Sequence, residues 1–252
     1  MTKLIAYDIA NDGVEASLHD EAGMPIDSVF TAHKTFYPTP QWHEQRPMDW
    51  WGGVCRCTKK ILEKTGTNPA EIKAVALSGH SLVVAPLDKN GNLLLEQVPI
   101  WSDSRAEENL EVVLEKIPYM KWYATTGNGD PPACYSIFKL MWMKENQPEV
   151  FEKTDKVVGS KDYINFMLTG EIATYPSYAS GTGVFDLVSW KYQEDFIKAS
   201  GIPASIFPVV IPSHSIVGKV TADAARATGL AQGTMVACGG VDNSCMALGA
   251  LG

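Results

Sequence analysis

The feature that most constrains this chain is the order of its apolar patterns: three short strand-like runs packed into the first forty residues, then strands that alternate with helices. Lys3–Ile9 is mainly apolar, Val14–His19 alternates, and Pro25–Thr31 follows a turn at Asp20–Gly23. Gly13 supplies the tight turn between the first two runs, so a meander is expected. A Pro-rich connection, Pro38–Pro47, leads into a helix from about Met48 to Lys64. That helix should stop at Gly66, with Lys59, Lys60 and Lys64 in its closing turns where the helix dipole favours cations. Ile72–Ser78 is a continuous apolar run suited to a buried strand, and Leu82–Leu87 is expected to be its partner in a hairpin or bend. Asp88–Gly91 is a turn. Further helices are expected at about Arg105–Lys116, Ser136–Glu145, Lys161–Leu168 and Gln193–Ala199. Tyr119–Pro132, rich in Gly, Asp and Pro, is expected to be an irregular functional loop or an inserted segment. Val217–Val220, a helix at Ala222–Thr228, Thr234–Gly239 and a helix opening at Asp242 restore the alternation. Pattern alone gives an α/β fold.

Composition excludes several classes of function. The 252 residues carry a formal charge of −8, and Lys and Arg never cluster, which argues against a nucleic-acid groove. Apolar residues make up 45% and charged residues 20%, an ordinary globular balance. No apolar run approaches the ~20 residues of a membrane span, and the start does not resemble a signal peptide. The five cysteines are odd in number. Cys55 and Cys57 stand two apart in a helix and so face different ways, a poor metal pair. Cys134, Cys238 and Cys245 lie among apolar residues and are expected to be buried thiols, which places the protein in a reducing compartment, the cytoplasm.

Several residues have the chemistry of a site, and each has a structural alternative. Asp242 follows Gly239 and Gly240 and opens a helix; the glycines let backbone approach a ligand, while the alternative is a helix N-cap. Asp103 precedes a helix and is either a ligand or a cap. Trp101 offers a flat face or fills a core. His80, beside Ser81 after the Ile72–Ser78 strand, is either a ligand or a structural histidine, and Asp8 ends the first strand. Glu44 and Gln45 are expected to be structural.

In order along the chain stand Asp8–Asp20, Trp42–Gln45 with Asp49–Trp51, Ser78-Gly79, Trp101–Arg105, Ser136–Asn146, Gly159–Tyr163 with Leu168–Gly170, and Gly239–Asn243. Together these segments resemble the FGGY family of carbohydrate kinases, xylulokinases in particular, over essentially the whole chain. The resemblance implies a ribonuclease-H-like domain of the kind shared by actin-like ATPases: a mixed five-stranded sheet flanked by helices, with an inserted helical or loop segment. It implies that residues 1–252 are the N-terminal, sugar-binding domain and that the C-terminal nucleotide-binding domain is not among them. Ending in the small-residue run Ala247–Gly252 fits that expectation, and the isolated domain is expected to be inactive.

By resemblance, Asp242 is the general base that takes the proton from the attacked hydroxyl. Asp103, His80, Ser81, Trp101 and Asn243 face the sugar. Asp8, Asn11, Asp12 and Gly13 face the phosphates, with Asp8 holding Mg²⁺ through water. ATP and Mg²⁺ are the implied cofactors, a sugar or polyol the implied substrate, with a ketopentose such as xylulose favoured, and a homodimer is compatible with the family. Three departures stand out. Xylulokinases carry Gln-Met-His-Gly after Ser-Gly, where this chain has His80–Val83, and Cys134 departs from the first position of one family signature. The family's phosphate loop runs Asp-Ile-Gly-Thr toward a basic residue, whereas Asp8–Glu15 places Ala10, Asn11, Asp12 and Glu15 there. One unwanted charge ~6 Å from a phosphate costs about 3 kcal/mol at an effective dielectric of 20, and about a quarter of that in water. A noncatalytic sugar-binding protein is therefore the rival expectation. An Hsp70-like or actin-like ATPase is a third, without support from the sugar-facing motifs.

Overall fold

The computed structural model describes residues 2–250. The strands Lys3–Ile9, Gly13–Asp20 and Pro25–Ala32 form the antiparallel meander, and Lys3–Ile9 also pairs in parallel with Ile72–Gly79. The sheet runs Ile216–Lys219, Met235–Ala237, Ile72–Gly79, Lys3–Ile9, Gly13–Asp20, Pro25–Ala32. Gly240–Val241 joins it on Ile72–Gly79, giving seven strands where five were expected. The extra two are Ile216–Lys219, antiparallel at the edge, and the short Gly240–Val241 strand beyond the Gly239 bend.

The helix Pro47–Thr65 covers one face of the meander. Trp50, Val54, Cys57, Ile61 and Leu62 are buried at three- and four-residue spacing, a stripe that meets the sheet. A Cβ added at Gly53 would lie 2.6 Å from the Val14 side chain, so the glycine permits the close approach. Tyr7 and Thr58 share a buried hydrogen bond of 2.7 Å across the same contact. Gly66 ends the helix at φ 63°, and its N–H bonds to the last turn, as the sequence suggested.

A second core lies beyond the sheet, built by Val113, Trp122, Ile137, Phe138, Leu140, Val157, Phe196 and Ile206. Its helices, Leu110–Leu114, Tyr119–Thr126, Ser136–Asn146, Pro148–Lys153 and Glu194–Ser200, form the inserted layer. Four expectations change here. The Tyr119–Pro132 stretch contains a helix, held by Trp122, which is fully buried and donates to the Gly183 carbonyl at 2.8 Å. The Pro38–Pro47 connection holds part of a hairpin, Phe36–Thr39 with Trp42–Gln45. The strand Ala85–Leu87 pairs with Lys156–Val158, seventy residues on, rather than with Ile72–Gly79. The Arg105–Lys116 helix is shorter, a 3₁₀ turn at Glu107–Asn109 leading into Leu110–Leu114. All five cysteines are free, but Cys245 is exposed rather than buried and Cys134 is half-buried. No helix among the described residues is long and apolar enough to cross a membrane.

Candidate active site

Three parallel strands finish side by side. In their register Asp8 stands beside Ser78 and Ser78 beside Gly240; one step on, Ile9, Gly79 and Val241 align. The carboxyl ends of parallel strands in open α/β sheets are where ligands bind, because loops diverge there and leave a crevice. Ser78 Oγ donates to Asp8 Oδ1 at 2.6 Å, fixing that carboxylate at the rim.

Asp242 reaches the same rim through a bend that only glycine can make. Gly239 has φ +80°, and a Cβ there would sit 1.9 Å from the Leu77 carbonyl oxygen. Behind the bend, Lys161 and Asn165 both donate to the Cys238 carbonyl. Lys161 is almost wholly buried; it pairs with Asp162 at 2.6 Å and lies 3.8 Å from the Tyr175 ring centroid, while Thr174 donates to the other Asp162 oxygen. Asp242 itself opens the helix Asp242–Gly249 and is half-buried, and its Oδ1 accepts the Asn243 N–H at 2.7 Å. Desolvation, with a smaller push from the Asp8 charge, raises its pKa above the ordinary carboxylate value, against the Asn243 hydrogen bond. Asn243 is exposed at the start of the same helix. Among the described residues no ion pair reaches Asp8 or Asp242.

The loop between the first two strands closes when the Ala10 N–H meets the Gly13 carbonyl at 3.0 Å. Gly13 is buried, and a Cβ there would meet the Phe30 ring at 2.3 Å. Asn11 and Asp12 are exposed at the tip. The Asn11 backbone carbonyl accepts from Gln45 Nε2 at 2.8 Å, and its side-chain oxygen accepts from Trp101 Nε1 at 2.7 Å. Gln45 is fully buried and accepts from Trp50 Nε1, the structural role its sequence position suggested. Glu15 is exposed and directly opposite Asp8 in the antiparallel register.

On the other side of the rim, His80 is 3% exposed, with Nδ1 3.0 Å from the Ile9 carbonyl. A carbonyl only accepts, so Nδ1 carries the proton and Nε2 is left as an acceptor. Burial lowers the imidazole pKa to about 4, so the ring is neutral at physiological pH. Its Nε2 is buried without a partner. Ser81 is half-buried, and Leu82 follows at φ 60°, a left-handed conformation uncommon for leucine. Trp101 is 44% exposed and offers a large aromatic face.

Asp103 lies behind the wall rather than in it. It is fully buried; Oδ1 accepts from Arg105 N and Nε, and Oδ2 from Arg105 Nη2 at 2.7 Å and His43 N at 2.8 Å. Both oxygens are taken, so the sugar contact expected of Asp103 is not open to it in this geometry. Arg105 also binds Glu44 at 2.6 Å and lies over the Trp42 and Trp142 rings, 4.3 and 5.0 Å from their centroids. Lys139 and Lys161 have no assigned role in the sequence reading, although both fall inside segments that carried the resemblance. Nothing in a one-dimensional pattern distinguishes a buried lysine from a surface one.

The family model for the N-terminal domain of FGGY carbohydrate kinases matches residues 4–249. The chain belongs to that family. It is 28% identical to the xylulose kinase of Escherichia coli K12 over 245 residues, 97% of this chain and 49% of the relative. It is equally similar to the xylulose kinase of Bacillus subtilis 168, over 99% of this chain and 50% of the relative. Its fold matches the crystal structure of xylulose kinase from Rhodospirillum rubrum with a TM-score of 0.91 and 29% identity, covering 98% of this chain and 50% of that one. Plasmodium falciparum glycerol kinase with ADP shares the fold at a TM-score of 0.88 and 20% identity, over 99% and 50% of the two chains. The FGGY chain described here thus spans about half the length of the curated relatives it matches.

Proposed function

We propose that these residues form the sugar-binding half of an ATP-dependent carbohydrate kinase that transfers the γ-phosphoryl group to a hydroxyl of an open-chain ketose, with a ketopentose such as xylulose favoured. One observation carries the reading: the Gly239 bend sets a half-buried Asp242, its pKa raised, beside Asp8 at the aligned ends of three parallel strands. A raised pKa makes Asp242 a stronger base than an ordinary carboxylate, which suits it to take the proton of the attacked alcohol. His80 Nε2, an acceptor without a protein partner, takes a hydroxyl hydrogen, and the face of Trp101 receives the carbon chain. Asn243, exposed next to the base, is a further polar side chain for a sugar hydroxyl. Asp103 acts through Arg105, holding Trp42 and the Trp101–Arg105 segment in place.

Neighbouring carboxylates without a paired cation fit Mg²⁺, a hard ion that prefers oxygen and keeps its waters. Asp8 would hold it through water, and the ion would offset phosphate charge. Gly13 and the N–H groups of Asn11 and Asp12 line the phosphate side, with ATP held mainly by the part of the protein beyond this chain.

ADP release by the full-length protein, scanned over pentuloses, hexuloses and polyols, tests the proposal. Ketose-dependent turnover that Asp242→Asn abolishes supports it. Tight ketose binding with no turnover would instead favour a noncatalytic sugar-binding protein, the reading suggested by the acidic Asp12 and Glu15.

A further inference from the structure

The two loops assigned to the sugar, residues 80–84 and 100–105, come from distant parts of the chain and have little of their own to hold them together. One backbone bond joins them, Val84 N–H to the Pro99 carbonyl at 3.2 Å. Beneath both lies Lys139, on the helix Ser136–Asn146, 1% exposed. Its ammonium donates to the Leu82 carbonyl at 3.0 Å and to the Ile100 carbonyl at 2.5 Å. The Leu82 carbonyl closes the His80-Ser81 turn at the residue with φ 60°. The Ile100 carbonyl also receives the Asp103 N–H at 3.1 Å, so it anchors the turn that carries Trp101.

A buried ammonium costs several kcal/mol of lost hydration unless each hydrogen finds an acceptor. Two loop carbonyls take two of its three hydrogens and the Asp103 carboxylate favours the charge, which makes the loops' positions depend on the lysine as much as the lysine depends on them. We propose that Lys139 is a positioning residue, a buried cation that sets the spacing between the two loops facing the sugar. This rests on the sugar-kinase reading above for what the loops face, although the clamp itself can be tested without substrate.

The groups that face Lys139 are Asp103 and Arg105 from the segment after the Val98–Pro99 strand, Cys134 just before its own helix, and His80 from the Ile72–Gly79 strand. Burial lowers Lys139 to about 8, partly opposed by the Asp103 carboxylate. His80, at about 4, and the Cys134 thiol, pushed up by burial, do not change charge between about pH 7 and 8.5, so an alkaline limb there reports Lys139.

The test compares the unaltered full-length protein with its Lys139→Met and Lys139→Arg variants by amide hydrogen exchange and by calorimetry with D-xylulose. The clamp predicts that Lys139→Met loses protection in residues 80–84 and 100–105 together, while Lys3–Ile9 and Gly13–Asp20 keep theirs. It predicts a D-xylulose dissociation constant raised tenfold or more, with part of the affinity restored in Lys139→Arg. Unchanged exchange in both loops, or loss spread evenly over the whole chain, overturns it. If both loops open in Lys139→Met but the unaltered protein binds no ketose, the clamp stands and the sugar reading falls. Should neither variant fold, the unaltered protein decides: exchange in both loops that speeds up beyond its intrinsic pH dependence on crossing about pH 8 supports the clamp, and its absence sinks it.

Discussion

The two sides of the strand-end rim are held by different means. The side proposed to face the sugar rests on buried ions: Lys139 under two loops, and Arg105 between Asp103, Glu44 and two tryptophans. The side proposed to face the phosphates is a short turn whose tip, Asn11 and Asp12, is exposed and acidic, tied down by bonds to backbone and by one contact to Trp101. One side is organised before any ligand arrives; the other leaves its charge balance to ligand and ion. Preorganisation belongs where orientation of a neutral hydroxyl must be bought with fixed geometry. Phosphates bring charge enough to organise their own surroundings.

The largest effect that would sharpen this contrast is at the base between the two sides. Asp242→Asn in the full-length protein should lower kcat by about 10²–10⁴-fold with ketose affinity within a few-fold of normal. The pH–rate profile gives the sign. The base works ionised, so the rate falls as pH drops through its raised pKa, and the acid limb lies above the ordinary carboxylate range. A limb unchanged in Asp242→Asn would assign it to another group.

Next in size is Arg105→Ala, which strands Asp103 as a buried, unpaired carboxylate. Denaturant unfolding should show a loss of about 3–5 kcal/mol. A loss below about 1 kcal/mol would mean that the sugar side is no more tightly built than the phosphate side. Smaller again is Asn11→Ala, which removes the bond to Trp101. A neutral hydrogen bond of this kind contributes about 0.5–1.5 kcal/mol, so ketose affinity should fall by about two- to tenfold. A loss confined to nucleotide affinity would return Asn11 wholly to the phosphate side. Smallest is Glu15→Gln, which relieves like charges facing each other across Asp8 and Glu15. Because Glu15 is exposed, a stability gain of about 0.2–1 kcal/mol is expected by thermal unfolding, shrinking as salt is added.

Local signals in the sequence were legible because their causes are local. Gly66 at a helix end, the Asp88–Gly91 turn and the helix Ala222–Thr228 each depend on a few adjacent residues. The strands Lys3–Ile9 and Ile72–Gly79 announced themselves by apolar runs, and their neighbouring ends follow from one parallel pairing. What stayed hidden depends on residues far apart. Ala85–Leu87 finds its partner at Lys156–Val158, and a hairpin with a nearer strand fits its local pattern equally well. The helix Tyr119–Thr126 lies in a stretch of poor propensity and persists because Trp122 is buried against Gly183 and Phe138. Within the site, Asp8, Trp101 and Asp242 were visible as residue types at strand or helix ends. That Asp103 has spent both oxygens on Arg105 and His43 required coordinates, as did the identity of the carbonyls over Lys139.

The central claim is that Asp242 is held at the strand ends beside Asp8 as a base of raised pKa. A carbon-detected NMR titration of the Asp242 carboxyl, in the unaltered chain and in Asp8→Asn, measures this without substrate or nucleotide. The prediction is a midpoint above the ordinary carboxylate range that moves part of the way back when Asp8 loses its charge. A midpoint at or below that range, indifferent to Asp8, would contradict it.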